Sequence, residues 1–286
     1  MVLRTFLDVI ISVGSGFLRH RRERPGTLLR TLCVVAFDFM ARTGGRRLGS
    51  EERRALSCLL DLGALVNDHF DQRCFCKCSY RKLRKRLSGN ESVRAVYRAY
   101  FRELCQAERN RPRLCLPRRD DVPKESADYR ERVVRISLSA LAAVAFGQPN
   151  GDDLEDRRTS SAQDACLPQV FALVMLIQIC DDLFDWRRDW RAGLPTLATA
   201  ELLRCAGQAE GGGPDFGYVR ARVETAAAKY LAAASKRKSA FWPFVPCAYA
   251  AFFLVKLLSN VALRGRARRE AADNAGFGVL QVNPRC

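Results

Sequence analysis

The sequence predicts an all-α protein folded as a single domain, on three observations. Apolar residues recur three and four positions apart along eight long segments, the repeat of a helix with one face turned to a core. No segment of useful length alternates apolar and polar residues as a half-buried strand does. The breaks between segments are short and rich in Gly, Pro, Asn or Asp, so they read as turns rather than domain linkers. With 286 residues, 48% of them hydrophobic, the chain has enough apolar surface for a core that encloses a ligand. That fraction, with 28% charged residues scattered along the chain, excludes intrinsic disorder.

Taken in order, Met1 to Leu18 has the apolar look of a signal peptide. Asp8 interrupts it, however, no small-residue cleavage site follows, and His20-Arg21-Arg22-Glu23-Arg24 comes next, so it reads as a first amphipathic helix. Helical periods follow over Thr27–Arg42 and Ser50–Gln72. The second opens with Ser50 as N-cap and with Glu51 and Glu52 facing the positive end of the helix dipole. Further helices are predicted over Glu91–Glu108, Glu125–Phe146, Ala162–Trp190, Thr196–Cys205, Phe216–Ser235 and Ala240–Leu263. Breaks fall at Gly44-Gly45, Asn110–Pro117, Gln148–Asp156 and Gly211–Pro214. The longest charge-free apolar run, Ala240 to Val255, has the length of a core helix and is shorter than the ~20 residues a bilayer span needs. The helical domain is expected to cover residues 1–263. Residues 264–286 open with Arg264, Arg266, Arg268 and Arg269, then lose periodicity, and read as a basic, partly ordered tail.

Residue counts narrow the chemistry. His20 and His69 are the only histidines, which leaves almost no material for a Ser/His/Asp triad or a His-rich zinc site. The 12 cysteines would suit a disulfide scaffold in a small secreted chain; here they read as reduced, mostly packed thiols of a cytoplasmic protein. There are 48 Lys+Arg against 31 Asp+Glu, a formal charge of +17, so some partner or surface is anionic. Nucleic acid is a poor match, because no binding module and no basic stripe with interleaved aromatics is present. An anionic membrane surface, met peripherally by the amphipathic segments Met1–Arg22 and Ala240–Arg269, fits the charge better.

The most distinctive segment runs from Val170 to Asp189. A nearly continuous apolar helix suddenly presents Asp181, Asp182 and Asp185, followed by Asp189. At helical spacing 181, 185 and 189 stack one turn apart with 182 beside them, an arrangement that repels itself unless a cation sits between the carboxylates. Magnesium takes oxygen ligands, usually one or two protein carboxylates, and leaves its other positions to water and phosphate. A second, poorer cluster, Asn67, Asp68 and Asp71, ends the apolar helix that includes Leu62 to Val66; by itself it also reads as a solvated helix terminus. Two such helices facing each other would form a cup with acidic rims and an apolar floor, suited to a greasy tail with a diphosphate head.

Gln178-Ile-Cys-Asp181-Asp182-Leu-Phe-Asp185 resembles the FQxxDDxxD second aspartate-rich motif of the trans-prenyltransferases, the class I isoprenoid synthases. Asp189 and Gly193-Leu-Pro-Thr-Leu197 resemble its continuation, and Asn67-Asp68-His-Phe-Asp71 resembles a degenerate first motif. Gly44-Gly45-Arg46-Arg47-Leu48 is similar to the GGKRxRP segment that binds isopentenyl diphosphate, without its proline. The resemblance implies a single-domain bundle of roughly ten helices around a central apolar cavity. It also implies a magnesium-dependent enzyme of isoprenoid biosynthesis that ionises a prenyl (allylic) diphosphate and transfers or condenses the resulting cation, as a monomer or a homodimer. The first motif departs from the family in beginning with Asn and in carrying Cys74-Phe-Cys76-Lys-Cys78 where Arg-Arg-Gly is expected. This argues against ordinary chain elongation and leaves head-to-head condensation, terpene cyclisation and a non-catalytic partner subunit open. The acids also resemble those of membrane-embedded aromatic prenyltransferases, but a mean hydropathy of −0.17 does not supply the many spans those proteins need.

The resemblance assigns the metal to Asp181, Asp182 and Asp185, with Asp189, Asp68, Asp71 and Asn67 as further ligands. The diphosphate would be cradled by Arg135, Arg187, Arg188 and the Lys236-Arg237-Lys238 run, with Arg46 and Arg47 for a second diphosphate. Gln178, one turn before the acids, would contact substrate or orient a carboxylate.

Overall fold

The computed structural model describes residues 27–43, 46–72, 76–86, 91–114, 121–146, 167–208, 215–235 and 244–273. These form nine α-helices and no strand among the described residues: α1 Thr27–Thr43, α2 Ser50–Gln72, α3 Lys77–Arg86, α4 Glu91–Arg109, α5 Val122–Phe146, α6 Leu167–Ala192, α7 Leu197–Gln208, α8 Phe216–Ala234 and α9 Phe244–Asp273. The all-α expectation holds. The expected helix at Met1–Arg22, the Gly44-Gly45 break and Lys236–Lys238 lie outside the described residues.

Contacts divide the chain into two compact units. One comprises Met1–Arg109 and Arg135–Asp164, the other Asn110–Val134 and Ala165–Cys286. Helix α5 contributes to both, its first half to the second unit and its second half to the first.

In the first unit, α2 is the central element. Gly49 accepts the first helical hydrogen bond from the Arg53 N–H, and its own N–H donates to Glu52 Oε2 at 2.7 Å. The cap is therefore Gly49, with Glu52 at N3 completing half of a capping box, and Ser50 moves one place inside the helix. Leu56, Leu59, Leu62 and Val66, spaced by three and four, are the buried face of α2. Gly63 lies on this helix because Tyr100 of α4 fills the space beside it: a Cβ there would stand 2.6 Å from the Tyr100 hydroxyl. That hydroxyl pairs with Ser137 Oγ of α5 at 3.1 Å, so one polar contact ties three helices together just before the Asn67 cluster.

The sequence reading missed α3. Its ten residues include Lys77, Arg81, Lys82, Arg84, Lys85 and Arg86 and bury only Leu83, so they offer no apolar period to detect. The helix instead starts locally, with the Tyr80 N–H bonded to the Cys76 carbonyl.

In the second unit, α6, α8 and α9 pack on one another. Val170, Met175, Leu176, Ile179, Leu183 and Trp186 of α6 meet Val219, Val223, Ala227 and Tyr230 of α8 and Ala248, Val255 and Leu263 of α9 in its core. Asp215 caps α8, its Oδ1 accepting from the N–H groups of Gly217 and Tyr218 at 2.8 and 3.2 Å. Helix α9 corrects two expectations. It runs on through the arginines to Asp273, so the tail begins as helix. Its apolar-rich stretch Phe244–Leu263 buries only Ala248, Val255, Ser259 and Leu263, where a core helix was expected. Both α6 and α9 are long and apolar enough to cross a membrane by length and composition, but 56% of the corresponding stretch of α6 is buried, which marks it as a core helix.

Candidate functional site

The turn between α6 and α7 determines where the acids sit. Gly193 adopts φ 67°, its N–H bonds to the Trp190 carbonyl at 3.2 Å, and the Leu194 N–H bonds to the Asp189 carbonyl at 2.9 Å. This pair of bonds is a Schellman end, which needs the left-handed conformation that glycine adopts without strain. Two residues later Thr196 starts α7. Its Oγ1 accepts the Thr199 N–H at 3.2 Å while Thr199 Oγ1 accepts the Thr196 N–H at 2.8 Å, a reciprocal cap with threonine in the usual acidic position. The chain thus reverses within a few residues, and the N-terminus of α7 is brought against the acids of α6.

Asp182 receives it. This buried carboxylate takes the Leu197 N–H on Oδ2 at 3.5 Å, and on Oδ1 both Gln178 Nε2 and Arg130 Nη2 at 3.2 Å. Two side-chain donors and the Leu197 N–H thus converge on one buried carboxylate. Gln178 meets a carboxylate one turn along its own helix. Arg130 was missed. The α5 segment Tyr129-Arg130-Glu131-Arg132-Val133-Val134-Arg135 offers three arginines, and only packing decides which one turns to α6. Arg135, expected to cradle a diphosphate, lies exposed further along α5, and the arginine that meets Asp182 is Arg130.

The four aspartates do not share one environment, which corrects the stacked row read from spacing. Each step of four residues overshoots a full turn by about 40°, so the row drifts around the helix. Asp181 is exposed, Asp185 half-buried, and Asp182 and Asp189 buried. Desolvation by its crowded surroundings, then the charges of Asp182 and Asp185, push the Asp181 carboxyl above the ordinary range. Burial and then Asp182 raise Asp189 to about 6, against the opposing pull of Arg188 and Arg130. Arg188 is itself exposed and bridges Asp185 at 2.7 Å and Asp189 at 3.7 Å. Arg187 lies 5.4 Å from the ring of Trp186. Asp185, Arg187 and Arg188, with Phe184, Arg191 and Ala192, line a shallow open depression at the end of α6.

Magnesium can be tested against this donor set. Asp182 accepts three hydrogen bonds from the protein, which hold it in place beside Asp181 and Asp185. Asp181 and Asp185, one turn apart and both reaching solvent, fit an ion that takes one or two carboxylates and completes its shell with water and phosphate. Among the described residues no group of three or more His, Cys, Asp or Glu side chains is placed to hold a metal ion.

Asn67, Asp68 and Asp71 sit in the last two turns of α2, in the first unit, with Asn67 Nδ2 bonded to Asp71 Oδ2 at 2.9 Å. Acids there face the negative end of the helix dipole, which costs about 0.3–1 kcal/mol each. Arg47 is exposed. Arg46 is held in place by the Ala145 carbonyl at 3.1 Å and by a salt bridge to Glu52, both within the first unit. Lys236 lies outside the described residues, as does Cys74. Cys76 is exposed, and its thiol titrates below the ordinary range because the Ser79 hydroxyl donates to it at 3.1 Å. No protein-family profile matches the chain, and no curated protein or solved structure matches it either.

Proposed function

We propose that the protein is a magnesium-dependent isoprenoid enzyme that ionises a prenyl diphosphate and transfers or condenses the prenyl group, within a class I isoprenoid synthase-like bundle. The observation that carries this reading is the end of α6. An apolar core helix there delivers two accessible carboxylates one turn apart, Asp181 and Asp185, beside a buried third that Arg130, Gln178 and the Leu197 N–H hold in place. Carboxylates gathered this closely on one helix repel one another unless a cation offsets them.

In this reading Asp181 and Asp185 hold the metal, and Asp182 fixes their helix turn. Bound magnesium supplies neutralisation of the charge that builds on the departing diphosphate. Arg188, exposed and already placed between two carboxylates, swings its guanidinium to the phosphate oxygens when substrate enters, with Arg187 and Arg191 along the same depression. The allylic C–O bond breaks heterolytically and its electron pair leaves with the diphosphate. The carbocation is captured by a carbon–carbon double bond, and the proton then lost is taken by the released diphosphate, so no histidine base is required.

The test is incubation of the purified chain with magnesium and a panel of allylic diphosphates, with and without isopentenyl diphosphate, followed by identification of the lipid products. Asp181→Asn and Asp185→Asn should each lower turnover by at least about a hundredfold, and Asp68→Asn by less. Magnesium and diphosphate together should raise the melting temperature of the parent chain but not of those two variants. Absence of product with every substrate, together with no joint stabilisation, refutes the reading.

A further inference from the structure

Helix α9 carries an apolar face that the fold does not use. Its inner face, Ala248, Val255, Ser259 and Leu263, is buried against α6 and α8. Its outer face presents Tyr249, Phe253, Leu257 and Val261 in a row at four-residue spacing, with Leu254 alongside; Phe253 is 70% and Val261 67% exposed. Five large apolar side chains on one stripe are more than the scattered exposure that soluble surfaces carry, and contiguous patches of this kind mark a binding face. Between Phe244 and Leu263 the only charged residue is Lys256, whose long stem lets its ammonium reach a polar layer. Charge gathers at both ends instead. Lys236, Arg237 and Lys238 precede the helix in sequence, and Arg264, Arg266, Arg268 and Arg269 continue it.

We infer that this face docks on an anionic lipid bilayer, with α9 lying in the plane of the headgroups. The charge pattern selects lipid over a second copy of the chain, since two copies meeting on this face would bring like-charged arginine clusters together in a chain of net charge +17. It also selects anionic headgroups, which attract basic residues beside an inserted apolar face. The tertiary ties decide between lying on the bilayer and crossing it. Arg220 Nη1 donates to Asn260 Oδ1 at 2.8 Å, and Ser259 Oγ donates to Glu224 Oε1 at 2.9 Å. A spanning α9 would drag Arg220 and Glu224 of α8 into hydrocarbon, where ionised groups are expensive.

The inference stands on α9 alone and is independent of the catalytic reading, which is tested on soluble short-chain substrates without lipid. The full chain is sedimented with phosphatidylcholine vesicles, with and without phosphatidylserine. Binding is expected only with phosphatidylserine, and the double variant F253S/L257S should lower the apparent affinity about tenfold or more, because two large apolar side chains no longer enter the bilayer. As these side chains are exposed, helical circular dichroism should be unchanged. Phe253→Trp should give fluorescence quenched by brominated lipid, a readout that needs contact and not merely attraction. The proposal is overturned if the parent chain does not bind the phosphatidylserine vesicles, if F253S/L257S binds as tightly as the parent, or if the fluorescence that Phe253→Trp adds is not quenched. It is equally overturned if the parent self-associates through this face and the variant does not, which would make the occupant a second copy.

Discussion

Replacing Asp182 by asparagine removes one charge and almost no volume, and the structure gives it a different outcome from the same change one residue earlier. Asp182 is 3% exposed and its partner Arg130 has a side chain 20% exposed, so the pair is largely shielded. Breaking a fully buried pair costs about 3–5 kcal/mol, because the remaining charge is left uncompensated. Two effects reduce that figure. The guanidinium retains some water, and the new amide oxygen still accepts from the Leu197 N–H. Relief of repulsion on Asp181 and Asp189, both pushed upward by the Asp182 charge, returns about 0.2–0.5 kcal/mol each. A net loss of about 2–3 kcal/mol remains. At about 2–4 °C per kcal/mol for a chain of this size, this is a fall of about 5–10 °C in Tm. Asp181→Asn, on the exposed side, should stay within about 0.5 kcal/mol of the parent and on the stabilising side. The assay is thermal unfolding followed by circular dichroism with chelator present, and a double-mutant cycle with Arg130→Met should return a coupling of about 1–3 kcal/mol. Equal melting temperatures for Asp182→Asn and Asp181→Asn, or a coupling near zero, would refute the assignment of Asp182 to positioning.

Asp189 gives a pH signature. Its carboxyl titrates at about 6 in the fold against 3.8 unperturbed, so the folded state holds a proton that the unfolded state has lost between those values. Stability from this group is therefore highest below pH 4, falls as pH rises to 6, and stays reduced above it, by about 2–3 kcal/mol. Asp189→Asn should flatten that slope in metal-free buffer, and a parallel pH profile for variant and parent would count against it. Gly63→Ala sets helix propensity, worth about 1 kcal/mol in its favour, against a Cβ placed 2.6 Å from the Tyr100 hydroxyl, with about 1–3 kcal/mol of overpacking. The overpacking should win, and Tyr100→Phe in the same background should recover part of the loss in denaturant unfolding; a stabilised Gly63→Ala would show that the helices part easily. Among the described thiols, Cys76 should be alkylated first by iodoacetamide and Cys33 among the last, since burial raises Cys33 to about 11 while Cys76 lies exposed and is lowered by Ser79. Mass spectrometry of the partly labelled chain reads the order, and a slow Cys76 would contradict it.

What the sequence determined by itself was the helical character and the location of the acids. Apolar repeats marked α2 to its last residue at each end, because a buried face imposes its period on the residues that form it. The sudden appearance of Asp181, Asp182 and Asp185 inside an apolar run singled out the end of α6 for the same reason, as charges there violate the pattern. Thr196 was legible too, as the start of α7, since a helix cap is a local structure built by neighbouring residues. The elements that escaped were those without a period or with a choice among equals. Helix α3 has one buried side chain and no stripe, and the cap of α2 shifted from Ser50 to Gly49 because hydrogen bonding, not residue preference, settles it. Only tertiary packing separated four similar aspartates into two accessible carboxylates and two buried ones, by letting the drift of about 40° per four residues carry the row from solvent into the core. The same packing turned Arg130 to Asp182, since spacing along one helix does not say which of three arginines meets a neighbour. It also left the outer face of α9 bare. Apolar sequence states that a side chain is better out of water, but not whether protein or lipid takes it in.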